Sequence, residues 1–311
     1  MENEKFSFES DIDGLTIHGM IIKPEGIPKG IVQIVHGMCE HKERYYDFME
    51  YLASSGFITV IHDNRGHGES VESPEDLGYF YEGGAAGLVS DIYKTTCYIK
   101  NYVKERYGKD KLPYTLIGHS MGSLAVRCYV KKYDDEIDKL IVMGCPSKLS
   151  GMEPGLKLVE FLESKKGGRS RSKLIDFIVF SSNYEKRFGK EGPRAWVNSD
   201  KEKVKEYLAD PLCNFTFTLN GYENLIRLTK ETYSKSGYGM KNRDLYIRFV
   251  SGEDDPCAVS KRKLWDAMLC MKRAGYKNVR GRMYRGMRHE ILNEPGHMKV
   301  YKDILKMINE Q

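Results

Sequence analysis

The sequence has no Cys-x-x-Cys pair, no Gly-X-Y period, no internal repeat of about 20–50 residues, and no apolar run of about eighteen. Each absence removes a class of protein. Seven cysteines (Cys39, Cys97, Cys128, Cys145, Cys213, Cys257 and Cys270) are odd in number and scattered, which speaks against a disulfide scaffold or a zinc ribbon and for reduced thiols. Without a long apolar run no transmembrane helix is expected, and without a short repeat no collagen or solenoid. The start, Met1-Glu2-Asn3-Glu4-Lys5, is acidic and carries no apolar core of a secretory signal, so a cytoplasmic location is expected. A net charge of +5 is too small for a nucleic-acid footprint, and no nucleic-acid partner is expected. Most of that excess lies in residues 151–240, which hold 16 Lys/Arg against 12 Asp/Glu.

What is present is enough for a core. Hydrophobic residues make up 41% of the 311 positions, and about 100–200 residues per domain allows one large domain or two ordinary ones. Phe6–Glu9 and Leu15–Ile22 flank Asp11-Ile12-Asp13-Gly14 and read as a hairpin. Strands are then predicted at 30–36, 57–61, 114–117 and 140–144, separated by helices at 43–55, 88–107 and 120–133. Strands alternating with long helices predict a mostly parallel sheet. Residues 148–240 break this rhythm with helical runs near 155–164, 172–181 and 201–208 and an aromatic stretch from Phe215 to Tyr222. The rhythm returns with a strand at 245–251, a helix at 258–274, a strand at 279–284 and a terminal helix at 296–309. The last segment is too short for a core of its own. The expected organisation is one α/β core, 1–147 with 241–311, interrupted by a helical insertion, 148–240.

The chemistry centres on Gly118-His119-Ser120-Met121-Gly122. A G-x-S-x-G between a strand and a helix is the setting of a nucleophile elbow. The sharp turn pushes Ser120 out above the sheet and leaves the Met121 amide at a helix N-terminus, where it can face an anion. A serine needs a base, and the base an orienting carboxylate, in the chain order Ser, acid, His for such a fold. Of eight histidines only His289 and His297 follow a plausible acid. His289, in Arg285-Gly286-Met287-Arg288-His289-Glu290, falls just past a strand; His297 is expected to begin the last helix. The acid should end the preceding strand, in Ser251-Gly252-Glu253-Asp254-Asp255-Pro256. Pro256 fixes the geometry of Asp255 and favours it over Asp254. The second oxyanion donor should follow an early strand, and Gly37 would let the Met38 amide point inward.

The set His36-Gly37-x-x-Glu40-His41-x-x-Arg44-Tyr45, Asp63-x-Arg65-Gly66-His67-Gly68-x-Ser70, Gly118-His119-Ser120-Met121-Gly122, Gly252-x-x-Asp255 and Gly286-x-x-His289 resembles the α/β-hydrolases of the monoacylglycerol lipase and lysophospholipase type, also catalogued as serine aminopeptidase-like hydrolases. Five motifs fall in order from about residue 10 to the C-terminus. The resemblance implies a Ser120–Asp255–His289 triad, an oxyanion hole of the Met38 and Met121 amides, a structural role for the Arg65–Ser70 turn, and a helical insertion that caps the site. Ser123 stands where the animal monoacylglycerol lipases carry a third glycine, and the insertion is more similar to those of bacterial members.

In that insertion Leu156, Leu158, Val159, Phe161 and Leu162 form one apolar run, and Leu174, Ile175, Phe177, Ile178, Val179 and Phe180 a second. Most are expected to pack, and some to line an acyl channel. Lys165, Lys166, Arg169, Arg171 and Lys173 punctuate a Gly/Ser-rich segment expected to be a solvated loop, with contact to a membrane or micelle surface as the alternative. Cys39 and Cys257 fall near the expected site without an evident base partner, and packing is their expected role. No metal and no cofactor is expected. The reading is a serine ester hydrolase acting on a small acyl monoester, a monoacylglycerol or a lysophospholipid, with activity falling as pH drops through an imidazole pKa near about 6.5. An aminopeptidase is the alternative. It would need acids facing Ser120, for which Glu185, Glu191 and Glu223 are available. Acyl transfer to an alcohol and, from a different class, a non-catalytic binding protein on the same fold are the remaining readings.

Overall fold

The computed structural model describes residues 2–148, 151–178, 184–258 and 260–310. Eight strands form one sheet: β1 (Glu2–Glu9), β2 (Thr16–Lys23), β3 (Gly30–Val35), β4 (Phe57–His62), β5 (Tyr114–His119), β6 (Lys139–Met143), β7 (Tyr246–Gly252) and β8 (Val279–Tyr284). Their order is β1-β2-β4-β3-β5-β6-β7-β8. The hairpin β1–β2 is antiparallel and joins β4 antiparallel; β4 through β8 are parallel. The chain is an α/β-hydrolase in fold.

The continuous apolar runs of β3 to β7 follow from burial on both faces. On one face, Phe48, Met49 and Leu52 of α1 (Tyr46–Ser54) and Val300, Ile304 and Met307 of α10 (His297–Asn309) pack on Val32, Ile34, Ile141 and Val250. On the other, Leu88, Ile92 and Ile99 of α2 (Gly84–Tyr107), Leu124 and Val130 of α3 (Met121–Tyr133), and Leu264 and Met271 of α9 (Lys261–Ala274) pack on Ile31, Leu116, Leu140 and Phe249. Alternate strand residues serve alternate faces, as the pleat requires.

Between β6 and β7 lie α4 (Met152–Lys166), the single turns α5 (Lys173–Asp176) and α6 (Glu185–Phe188), α7 (Lys201–Ala209) and α8 (Leu219–Thr232). No strand of the sheet comes from this segment among the described residues. Of the predicted helix 172–181, the structure describes the turn α5 and its continuation through residues 177–178; Val179, Phe180 and Ser181 lie outside the described residues. Helix α8 was not predicted. Its signals are Leu219, Tyr222 and Leu225 at helical spacing behind Thr218, whose side chain caps the Gly221 amide at 3.1 Å. The aromatic density of 215–222 hides that spacing.

Most of the cap's apolar residues divide by helix face. Leu156, Val159 and Ile175 are buried, while Phe161, Leu174, Phe177 and Ile178 are exposed. The basic segment is less free than expected. Arg169 meets Asp76 at 2.8 Å, and Arg171 donates to the Glu75 and Leu77 carbonyls at 2.8 Å, so two of its five cations are tied to the segment 75–77.

Candidate active site

Ser120 occupies the turn between β5 and α3 with φ 52° and ψ −117°, a left-handed conformation rare for a residue with a Cβ. The strain is imposed from both sides. The Ser120 amide donates to the Met143 carbonyl at 2.9 Å, and the Ser123 hydroxyl donates to the Ser120 carbonyl at 2.6 Å. Ser123 thus braces the elbow. The flanking glycines are required for space: a Cβ at Gly118 would lie 2.5 Å from the Gly122 carbonyl oxygen, and one at Gly122 would lie 2.2 Å from that of Val35. The Ser120 side chain does not act as a helix cap.

His289 lies in the loop after β8. Its Nδ1 is 3.0 Å from both carboxylate oxygens of Asp255, which follows β7. Both side chains are buried. Asp255 also accepts from the Cys257 amide at 2.8 Å and the Ser251 hydroxyl at 3.2 Å. Burial pushes the Asp255 carboxyl up, but His289 and the Cys257 amide outweigh it and hold the group below the usual carboxylate range. Asp254 instead points outward to Arg187. His297 begins α10, its Nδ1 3.0 Å from the Glu294 carbonyl, away from this cluster. Ser120 and His289 line the same cavity without a hydrogen bond between their side chains. The Cys257 thiol lies beside the His289 Nε2, with Sγ at 3.9 Å. Cys257 therefore does have a base beside it, contrary to expectation, because the turn after Asp255 folds back under the imidazole.

Met38 and Met121 both line the cavity, and among the described residues neither amide donates to a protein acceptor. The loop carrying Met38 is held by the neighbouring Gly37 amide, which donates to Glu40 Oε1 at 2.5 Å. Glu40 belongs to a buried network that sequence reasoning missed. Its Oε1 lies 3.0 Å from His119 Nδ1 and accepts from the Tyr45 hydroxyl at 3.0 Å, while His119 Nε2 lies 3.3 Å from the His289 carbonyl oxygen. Burial alone would lower the His119 pKa, but the Glu40 carboxylate raises it above its ordinary value, and Glu40 is held low in turn. Arg44 clamps Glu290 through 2.6 and 2.7 Å contacts beside it. Only the residues of the motifs, not their pairing, could have hinted at this.

The cavity holds about 290 Å³ and has a mainly apolar wall. Leu124, Met152, Ile178, Trp196, Leu225 and Ile226 contribute to it, most of them from the segment between β6 and β7. Arg194 and Asn214 line one side, also unforeseen, with Arg194 Nε donating to Asn214 Oδ1 at 2.8 Å and the Asn214 amide donating to the Cys39 carbonyl at 3.2 Å. All three have left-handed backbones, at φ 57°, 53° and 56°. The three acids considered for an amine site lie elsewhere: Glu185 holds Arg194, Glu191 pairs with Arg288 and Glu223 with Arg227. None of them lines the cavity. The Asp63–Ser70 segment is a buried turn in which Gly66 and Gly68 take φ 73° and 51°, and Arg65 is buried on Asp13 and Asp91. No helix among the described residues is long and apolar enough to cross a membrane.

Comparison with known proteins places this arrangement. The chain is 25% identical to the monoacylglycerol lipase of Mycolicibacterium smegmatis, over 96% of this chain and 94% of the relative. The structure superposes on a thermostable carboxyl esterase from Bacillus coagulans with a TM-score of 0.80, at 23% identity over 99% of both chains. It superposes on a monoglyceride lipase from Saccharomyces cerevisiae with a TM-score of 0.74, at 17% identity over 99% of this chain and 96% of the other. The family model "Serine aminopeptidase, S33" matches residues 26–296. The chain belongs to that family, and is a serine hydrolase of the α/β-hydrolase fold, monoglyceride lipase-like in kind.

Proposed function

We propose that the protein hydrolyses carboxylic monoesters, monoacylglycerols first and lysophospholipids next, through Ser120, His289 and Asp255. The observation that carries the reading is Asp255 on the Nδ1 face of His289 beside a mainly apolar cavity that Ser120 also lines. Ser120 Oγ attacks the ester carbonyl carbon as its proton passes to His289 Nε2. The side chains have no hydrogen bond in the resting state, and substrate binding draws them together by rotation. Asp255 stabilises the imidazolium. The Met38 and Met121 amides take the oxyanion. The tetrahedral adduct expels the alcohol, protonated by His289, and leaves an acyl ester on Ser120. Water, losing a proton to His289, attacks that ester, and the acid departs as Ser120 regains its proton. No cofactor takes part in these steps.

Residues 148–240 act as the cap, placing apolar walls over the nucleophile. An acyl chain suits such a wall, since each buried CH₂ is worth about 0.8 kcal/mol. A peptide's charged amine does not, because Glu185, Glu191 and Glu223 are each spent on an arginine and none of the three lines the cavity. Exposed Phe161, Leu174, Phe177 and Ile178, on the segments flanking Lys165, Lys166 and Lys173, favour transient contact with a lipid or micelle surface that delivers the substrate. A panel of p-nitrophenyl esters, monoacylglycerols, lysophospholipids and aminoacyl amides, run on wild type and Ser120→Ala, tests the reading. Ester cleavage lost in Ser120→Ala is expected. Cleavage of the amides alone, or full activity of Ser120→Ala on every cleaved substrate, overturns it.

A further inference from the structure

Two clusters of metal-ligating side chains stand out among the described residues: His41 with Asp210 and Cys213, and Asp255 with Cys257 and His289. The first has no lone pair to give. Both ring nitrogens of His41 are engaged by carboxylates, Glu43 at 2.7 Å and Asp210 at 2.8 Å. It is an ion-pair cluster. The second differs, because there the carboxylate holds only Nδ1 and the imidazole Nε2 faces a thiol.

We propose that Cys257 Sγ and His289 Nε2 form a binding site for a thiophilic divalent cation such as Zn²⁺ or Cd²⁺, and that the bound cation switches hydrolysis off. The inhibitory part rests on the function proposed above; the binding part does not.

The geometry is that of two metal ligands awaiting an ion. Zinc–thiolate and zinc–imidazole bonds of about 2.3 and 2.0–2.1 Å span a 3.9 Å gap with a wide tetrahedral angle at the metal. The outer partner is in place as well. A metal-bound histidine ordinarily gives its other nitrogen to a carboxylate, and Asp255 takes Nδ1 at 3.0 Å. The same carboxylate fixes the thiol's position, since its Oδ1 accepts the Cys257 amide at 2.8 Å. One acid therefore orients both ligands. Cys257, His289 and Ser120 all line the same cavity, so a cation held by the first two would stand in the space that the serine shares.

The charge fits too. The Asp255 carboxylate beside both ligands supplies a negative charge that favours a cation in the thiol proton's place. On binding, the S–H bond breaks, an S–metal bond forms, the proton leaves to solvent, and no electrons change hands. The Nε2 lone pair, which must accept the Ser120 proton, is then occupied.

The test uses Zn²⁺ and Cd²⁺ salts on the full chain. Zn²⁺ is titrated against ester hydrolysis by wild type, Cys257→Ser and Cys257→Ala, with recovery on adding a chelator. Cd²⁺ is titrated against Ser120→Ala with and without Cys257→Ser, reading the ultraviolet cadmium–thiolate absorption. Melting temperatures without metal establish that each variant is folded, and His289→Asn in the Ser120→Ala background removes the other ligand should both Cys257 variants fail to fold. Chelator-reversible inhibition of wild type is expected, with at least about tenfold more Zn²⁺ needed once Cys257 is replaced, since losing even an outer partner costs about that much. One cadmium–thiolate equivalent should vanish with Cys257, and its affinity should weaken in His289→Asn. An undiminished band at unchanged affinity in these variants overturns the site. An intact cadmium site in a protein that cleaves no ester would overturn the proposed function and leave the site standing.

Discussion

The His119 imidazole reaches from the residue before Ser120 to the Glu40 carboxylate, with Nδ1 and Oε1 3.0 Å apart in a buried pair. Through it three loops meet: Glu40 holds the Gly37 amide of the loop carrying Met38, and His119 Nε2 faces the His289 carbonyl at 3.3 Å. The strand of the proposed nucleophile thereby carries the link between the proposed oxyanion donor and the proposed base.

Breaking that pair should destabilise the protein in a pH-dependent way. Glu40 is held below its ordinary 4.5, so its share is present above 4.5 and is lost as pH falls through the lower folded value. His119 is raised above its ordinary 6.5, so its share is full below 6.5 and is lost as pH rises through the folded value. Glu40→Gln should therefore lower stability most between about pH 5 and 6.5, by about 3–5 kcal/mol for an orphaned buried charge. Denaturant melts of wild type and variant at pH 4, 6 and 9 measure this. An equal loss at all three values would contradict it.

Asp255→Asn should lower kcat by about four orders of magnitude with the fold intact, because an amide can no longer hold the imidazole in its required tautomer. Asp254→Asn serves as the control, since the Asp254 carboxylate pairs with Arg187 on the surface and its loss should change kcat little. Steady-state kinetics on a p-nitrophenyl ester compares the two.

Gly122→Ala places a methyl 2.2 Å from the Val35 carbonyl oxygen and 2.5 Å from that of His36. Backbone, not a flexible side chain, is in the way, so the strand end before Gly37 must shift. The loss should reach or exceed the upper end of the about 1–3 kcal/mol typical of overpacking. Activity should fall further than the melting temperature implies, since the Met38 loop moves with that strand end. Thermal melts and kcat on the same preparation check both.

The Glu163 carboxyl on α4 is pushed up to about 7 by burial and by the Glu223 carboxyl on α8. A raised carboxyl pKa makes the folded state bind a proton that the unfolded chain lacks, so stability drops as pH rises from 4.5 through about 7. Glu163→Gln keeps the hydrogen bond without the charge. It should raise the melting temperature at pH 8 and leave it nearly unchanged at pH 5, as paired thermal melts would show.

Much of the fold was legible locally. The strands β3 to β8 were predicted to within a residue or two, β3 to β7 because strands buried on both faces are mostly apolar, and the largely exposed β8 from its place in the alternation of strands and helices. The elbow was legible because only glycine fits at 118 and 122. Helix α8 was not, since the aromatic run 215–222 blurred its period, and neither was the role of Arg169 and Arg171, whose partners lie some 93–96 positions away.

What the sequence by itself determined is the order of motifs and the identity of the groups: a serine in a forced turn, an acid before a proline, a histidine past a strand. Tertiary structure alone decided which of them meet. Asp255, which Pro256 already favoured in the sequence, reaches His289 because the turn after β7 points its carboxylate into the core and that of Asp254 toward Arg187. It also set a thiol beside Nε2, joined Glu40 to His119, and withdrew Glu185, Glu191 and Glu223 from the cavity. Such contacts join residues far apart along the chain, and no local spacing encodes them; they follow from how two layers of helices close on a shared sheet.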